Sequence, residues 1–370
     1  MKSIFLSGAT GMLGSLVGFL HLQKPDSRLV AFVRPTSENA HARLLRSLRF
    51  WGAVDPIRIE VAVGDITCPQ FGLDGESFKK IARDIDAIIH CAADLRLDQQ
   101  AESGIRNSTA AVENILQLAD ASGCQKIEHV STVGVGGAHP RVAEETFDFP
   151  RRYRNGYEAS KAAAEFQMAK AISQGVPITI HRPSMIVGHS VSGASPRGQV
   201  FSYLCKFLSG KKTRGFVPNL SKIRLDTVPC DYVASVILAS AARPEWAGLV
   251  LHECSANRAL SVSELAKRVA ETFEHPLPTQ IPTSLFLLAA ECWVWAMRRK
   301  TESAKLKFIL PYLKNDQIFE NGQTLRLIAN TGIHFPPPER YLQNVLEHLK
   351  QARNQRVEPP QPASAVLKSR

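Results

Sequence analysis

"SGATGMLG", residues 7–14, follows the apolar run Ile4–Leu6 near the start of the chain and places glycines at positions 8, 11 and 14 within one turn. Glycine in a packed segment is costly unless the backbone takes positive φ or something must approach it closely. One glycine suffices for an ordinary strand-to-helix turn. Three at this spacing suit a loop that turns tightly, lets a pyrophosphate approach and packs a helix onto its strand. The pattern is G-x-x-G-x-x-G, and it predicts a dinucleotide site built from Gly8, Thr10, Gly11, Met12, Leu13 and Gly14.

The sequence downstream supplies the context such a loop needs. Short β-type runs, 3–7, 29–33, 57–63, 86–91, 126–131 and 177–183, alternate with helical periodicity over 12–22, 40–48, 77–85, 109–120 and 157–172. Alternating strand and helix implies a parallel sheet covered on both faces, with ligands at the carboxyl ends of the strands. The regularity breaks after about residue 185, where "GHSVSGASPRGQ" reads as a polar loop and later segments look helical. The expected organisation is α/β: a doubly wound nucleotide-binding core over 1–185, a smaller, mainly helical substrate lobe over 186–353 with segments returning to the core, and a disordered tail over 354–370.

With 370 residues, 44% of them hydrophobic and 21% charged, the chain has material for a large core. Seven scattered cysteines without a C-x-x-C pair argue against a disulfide framework or zinc site and for a reducing, cytoplasmic setting. The net charge of +11 is uneven: residues 298–370 hold 13 Lys and Arg against 6 Asp and Glu. No nucleic-acid motif accompanies that charge, so nucleic acid is excluded as a partner. The most apolar stretch, "SLFLLAAECWVWAM" at 284–297, is shorter than the ~20 residues a membrane span requires and contains Glu291. It reads as a buried helix beside an apolar pocket, with peripheral membrane association as the alternative; Arg298, Arg299 and Lys300 follow it directly.

Chemistry-bearing residues fall at the expected strand ends. Arg34 follows the second strand, where an acidic residue would suit NAD and a cation suits the 2′-phosphate of NADP, so NADPH is the expected cofactor; Arg43 is a second candidate. "YEASK" places Tyr157 and Lys161 at i and i+4, on one helix face. An ammonium beside the phenol favours its ionisation and lets it work as a proton donor. Thr132, 25 residues before Tyr157 at the end of the fifth strand, is placed to bond the same substrate oxygen, with Ser131 as its alternative. Cys91 also sits at a strand end, but no base other than its neighbour His90 is placed to activate it. His129, His181 and His189 lack metal-ligand spacing, so no metal is expected.

"GATGMLG", "GDI" at 64–66, "HCAAD" at 90–94, the Ser131–Thr132 strand end, "YEASK" and "HRPSMIVG" at 181–188 occur in an order that resembles the extended short-chain dehydrogenase/reductase superfamily. Within it, the blocks at 64–97, 154–165, 181–193 and 225–238 are most similar to the thioester-reductase and fatty acyl-CoA reductase branch, and the likeness covers residues 3–240. The resemblance implies a Rossmann-type fold. It also implies adenine contacts from Asp65 and Ile66, passage of the cofactor along Ala92 and Ala93, an organising role for Asn107, and Pro183 and Ser184 beside the nicotinamide, with Lys161 holding its ribose. "NSTAAVENIL" at 107–116 departs from the branch by lacking Gly-Thr after the asparagine, and the C-terminal third shows no match. The expected activity is NADPH-dependent reduction of an acyl thioester, on CoA or an acyl carrier protein, to an aldehyde or onward to an alcohol. Two alternatives stand beside it: a carbonyl reductase or hydroxy-dehydrogenase, which uses the same three residues, and a non-catalytic NADP-binding regulator, against which the intact Thr132, Tyr157 and Lys161 count because binding alone has no need of all three.

Overall fold

The computed structural model describes residues 2–196, 199–211, 213, 215–286 and 317–354. Seven parallel strands make the central sheet: β1 (Ser3–Ser7), β2 (Arg28–Val33), β3 (Ile59–Val63), β4 (Ala87–His90), β5 (Lys126–Val130), β6 (Ile178–His181) and β7 (Val250–Leu251). Their spatial order is β7-β6-β5-β4-β1-β2-β3. β1 pairs with β2 on one side (Ile4 opposite Leu29) and β4 on the other (Ile4 opposite Ala87), so strand order reverses there and opens a crevice at the carboxyl ends.

Every residue of β1 is buried, as a central strand covered on both faces requires. Ile4 and Leu6 enter a core shared with α1 (Met12–Leu22), α2 (Ala40–Arg49) and, from much later in the chain, α7 (Cys230–Ala241). Phe5 enters the opposite core, with Phe32, Phe71 and the apolar faces of α3 (Gly75–Arg83), α4 (Ala101–Ser122) and α5 (Gly156–Ser173). The Phe5 and Phe71 rings stack with centroids 5.5 Å apart. Local sequence sets the helix starts: Asn39, Asp74 and Asn155 each accept a backbone N–H of the first turn of α2, α3 and α5.

A separate apolar cluster forms the second lobe. It joins Val187, α6 (Val200–Leu208), α8 (Val262–Thr272), Phe286 and helix Pro338–Asn354. The chain leaves this lobe for the sheet at α7 and β7, and again at Ile328 in helix Gly322–Ile328. β7 departs from the expectation of six strands. Two residues carry no periodicity, and its strand character comes from pairing with β6 (Val250 opposite Ile180). Two boundaries also move: residues 56–58 form a 3₁₀ turn ahead of β3, and α4 begins at Ala101. The apolar stretch 284–297 beyond Phe286, the cations 298–300 and the tail beyond 354 lie outside the described residues. Among the described residues no helix is long and apolar enough to cross a membrane.

Candidate active site

The loop between β1 and α1 explains its glycines one at a time. Gly8 has φ +73°, and a Cβ there would stand 2.8 Å from the Ala92 nitrogen and the Cys91 carbonyl carbon. A Cβ on Gly14 would stand 2.2 Å from the Gly8 oxygen, so α1 touches the loop through bare backbone. The Gly11 N–H closes the turn onto the Gly8 carbonyl at 2.9 Å. Gly11 is the N-cap of α1 and offers no side-chain acceptor, and the first turn holds no acid. Its opening N–H groups therefore remain available to an anion, favoured there by the helix dipole. Leu13 is buried and Met12 packs against the same core. The Thr10 carbonyl accepts a long bond from Ser47 Oγ at 3.4 Å. This cradle, which side chains would fill, fits a dinucleotide pyrophosphate.

Arg34 is exposed past the end of β2, and Arg43 reaches back to donate to its carbonyl and to Thr36. Asp65 is held below the ordinary carboxylate range, first by the Thr67 N–H (2.9 Å) and hydroxyl (2.8 Å), with a smaller contribution from Arg34. The Ile66 carbonyl accepts from Asn114 Nδ2 at 3.0 Å. Sequence reasoning missed Asn114. Its signal was a polar residue inside the apolar stripe of α4, where it is buried. At the end of β4, the Ala92 N–H donates to Ser7 Oγ at 3.2 Å, tying that strand end to the glycine loop, while Ala93 is exposed.

On the other side of the crevice, Thr132 caps the 3₁₀ turn Val133–Gly136, its Oγ1 accepting from the Gly134 N–H at 3.2 Å. Tyr157 lies in the first turn of α5, within hydrogen-bonding reach of Thr132. Burial pushes its phenol up to about 12, opposed by the Thr132 bond, which reverses the lowering expected from a neighbouring ammonium. One turn on, Lys161 is buried and donates from Nζ to the Val130 carbonyl at 2.7 Å. Loss of hydration lowers it to about 8, with Cys91 and Glu165 pulling the other way. The structure brings Thr132, Tyr157 and Lys161 together at the carboxyl end of β5. Pro183 and Ser184 adjoin them, for the Pro183 carbonyl accepts from the Val133 N–H at 3.2 Å and the Ser184 N–H is held by Glu253 at 3.0 Å.

Other candidates separate from this group. Ser131 is committed to Glu165 at 2.5 Å, and Glu165 in turn to the wholly buried Arg182, which leaves Thr132 as the hydroxyl facing Tyr157. Asn107 is exposed on α4 with no hydrogen-bond partner among the described residues; its neighbour Ser108 instead reaches α5, donating to the Ser160 carbonyl at 2.8 Å. Burial pushes the Cys91 thiol up to about 12 and the adjacent His90 down to about 3, so neither the nucleophile nor its base is in a working state near neutrality. His181 is clasped by Glu128 (2.7 Å) and Glu253 (2.6 Å), fully buried. Although burial opposes it, the two carboxylates raise its pKa to about 9. Among the described residues no group of three or more His, Cys, Asp or Glu is arranged to hold a metal.

The sequence profile of the NAD-binding family described as male sterility protein matches residues 6–237, spanning the glycine loop, Thr132, Tyr157 and Lys161, and the first two turns of α7. The chain belongs to this family. Glycine betaine reductase ATRR of Emericella nidulans is 28% identical over 255 residues, covering 64% of this chain and 20% of that protein. Aldehyde reductase lnaA of Aspergillus flavus is 28% identical over 352 residues, covering 90% of this chain and 32% of its own length. The chain thus spans a third or less of these two curated relatives. Among solved structures, the terminal R domain of the myxalamid PKS-NRPS pathway superposes with a TM-score of 0.81 at 26% identity, covering 96% of this chain and 91% of that one. In this male sterility-type chain the family match ends in α7, so most of the second lobe lies beyond it.

Proposed function

We propose that the chain is an NADPH-dependent reductase of an acyl thioester borne on a carrier protein or CoA, giving an aldehyde. The observation that carries this reading is the Thr132–Tyr157–Lys161 group standing across the crevice from the glycine cradle, at the carboxyl ends of β5 and β1. Similarity to the terminal R domain of a PKS-NRPS pathway supports the thioester over a ketone, and the relative named aldehyde reductase is compatible with onward reduction to an alcohol. Gly8, Thr10, Gly11, Met12, Leu13 and Gly14 would hold the pyrophosphate, Asp65 and Ile66 the adenine, and Ala92, Ala93, Pro183 and Ser184 the nicotinamide side, with Arg34 meeting the 2′-phosphate. When bound, NADPH supplies hydride to the thioester carbonyl carbon.

The residues of this chain do the rest. Thr132 and Tyr157 donate hydrogen bonds to the carbonyl oxygen as negative charge grows on it, stabilising that charge where water is scarce. Tyr157, protonated across the neutral range, passes its proton to that oxygen. Lys161, anchored on the Val130 carbonyl, presents its ammonium to the phenolate that remains. The hemithioacetal so formed collapses to aldehyde and thiol. Asn107 is exposed and is assigned no contact with the reacting atoms.

The test is turnover with NADPH or NADH against a panel of acyl thioesters and ketones, trapping any aldehyde as its oxime. Aldehyde from thioesters, a preference for NADPH of about tenfold or ~1.4 kcal/mol that Arg34→Ala erases, and a loss of about 10²-fold in turnover for Tyr157→Phe are expected. Reduction of ketones alone would replace this reading with a carbonyl reductase on the same three residues. Cofactor binding with no turnover of either class would replace it with a regulator.

A further inference from the structure

The second lobe contains a cavity of about 700 Å³ between α6, helix Pro338–Asn354 and the segment after α8, a volume suited to a cofactor-sized ligand. Its wall carries Lys206, Lys211, Arg353, His275 and His348 and, among the described residues, no Asp or Glu. Nearby acids are engaged elsewhere: Glu274 pairs with Lys350, and Glu271 with Lys267. Lys206, Lys211 and Arg353 have no carboxylate partner among the described residues. The Lys206 ammonium stands 5.4 Å over the Tyr203 ring instead. His275 Nε2 is buried without a hydrogen-bond partner on the same wall. Cations gathered around a concavity repel one another and focus a positive potential into it, an arrangement an anion relieves.

The cavity is also tied to the reaction centre through the chain. Leaving Ser184, the backbone runs through Val187 into a loop that reaches the cavity wall at Ser195. That loop is clamped on the last helix: Asn344 Nδ2 donates to the Ser190 carbonyl at 2.8 Å, and a Cβ on Gly193 would stand 2.0 Å from the Asn344 oxygen. The loop that leaves the reaction centre at Ser184 is therefore held in place where it meets the cavity. Tyr203 and Leu349 add apolar surface beside the cations.

We infer that this cavity binds the phosphate at the head of the pantetheine arm that carries the thioester. The inference rests on the thioester reading above. CoA and a phosphopantetheinyl carrier protein share the phosphate on the pantetheine hydroxyl, within a diphosphate in the first and a phosphodiester in the second, and Lys206, Lys211 and Arg353 supply its charge-assisted hydrogen bonds.

Calorimetry tests the cavity without turnover, using free CoA and phosphate-free pantetheine in saturating NADP⁺ so that the nucleotide crevice is filled. CoA should bind at least tenfold more tightly, and the gap should close in high salt and in the variant Lys206→Gln/Lys211→Gln/Arg353→Gln. In turnover, that variant should raise KM at least tenfold for a CoA or carrier-bound thioester. Its kcat and its KM for the matching N-acetylcysteamine thioester should stay unchanged. Lys206→Arg/Lys211→Arg should retain the wild-type KM. A rise confined to the CoA or to the carrier substrate supports the site and names its source. Unchanged CoA affinity and unchanged KM in a variant that melts normally overturn the inference. Failure to reduce any thioester, the N-acetylcysteamine form included, while CoA still binds through these cations, sinks the reaction assignment and leaves the phosphate site standing.

Discussion

Lys161 gives the sharpest test of the chemistry, because it titrates within an accessible range. Its ammonium is stripped of water and held on the Val130 carbonyl at 2.7 Å, and the lost hydration brings it to about 8. Tyr157, one turn away, stays protonated to about 12 and contributes no limb below that. The charged lysine is the form that favours the phenolate left after proton donation. Reduction should therefore follow the ammonium fraction and be lost as pH rises through about 8. One unit above that value about a tenth of the lysine remains charged, a change worth about 1.4 kcal/mol. The assay is kcat/KM for NADPH, which reports the free protein. It should be level from pH 6 to 7, half-maximal near 8 and about tenfold lower by 9. Lys161→Arg keeps a cation at every pH tested and should remove the limb at reduced turnover. Circular dichroism at each pH separates this from unfolding. A level profile up to pH 9.5, or a limb unchanged in Lys161→Arg, refutes the reasoning.

Three further outcomes follow from geometry. Gly14→Ala sets a Cβ 2.2 Å from the Gly8 oxygen, backbone against backbone, so the loop must shift; overpacking of about 1–3 kcal/mol predicts roughly tenfold or greater weakening of NADPH binding by fluorescence titration, and an unaltered Kd contradicts it. Cys91→Ala should keep turnover within about twofold, since its thiol is protonated to about 12, and a collapse in rate would reopen covalent catalysis. His181 is raised from 6.5 to about 9, so its stabilising contribution is full below 6.5 and disappears as pH climbs through 9. Urea unfolding of His181→Gln should show a loss of about 3–5 kcal/mol at pH 6 that shrinks toward pH 9.5; a pH-independent difference would mean the histidine is neutral in the fold.

Periodicity made the first six strands and the helices between them legible, because a buried parallel strand is apolar throughout and each covering helix repeats its own stripe. The crevice followed from glycine spacing, and the Tyr157–Lys161 face from helical geometry. Choices that depend on tertiary partners did not. Ser131 and Thr132 are adjacent on an extended chain, and only Glu165, one α5 turn beyond Lys161, decides which hydroxyl faces Tyr157. Asn107 and Ser108 occupy one helix turn, and only the packing of α4 on α5 shows which points to the partner. β7 has two residues and exists through its neighbour. The cationic cavity draws on residues more than a hundred positions apart in the lobe, and none of its members forms a motif.

The returning path of the chain bears on how such a protein can be recombined. After Val187 the sequence visits the second lobe, comes back to the sheet with α7 and β7, returns to the lobe through α8, touches the sheet-side core at Ile328 and re-enters the lobe with helix Pro338–Asn354. The lobe is consequently not a cassette. A graft cut near residue 185 would carry away Val233, Ile237 and Trp246, which belong to the buried face beside α1, and would leave Leu6 and Leu16 opposite a foreign surface. Exchange of specificity between relatives is compatible with this fold in two inserts, one between β6 and α7 and one between β7 and Ile328, with the sheet-covering helix kept from the recipient.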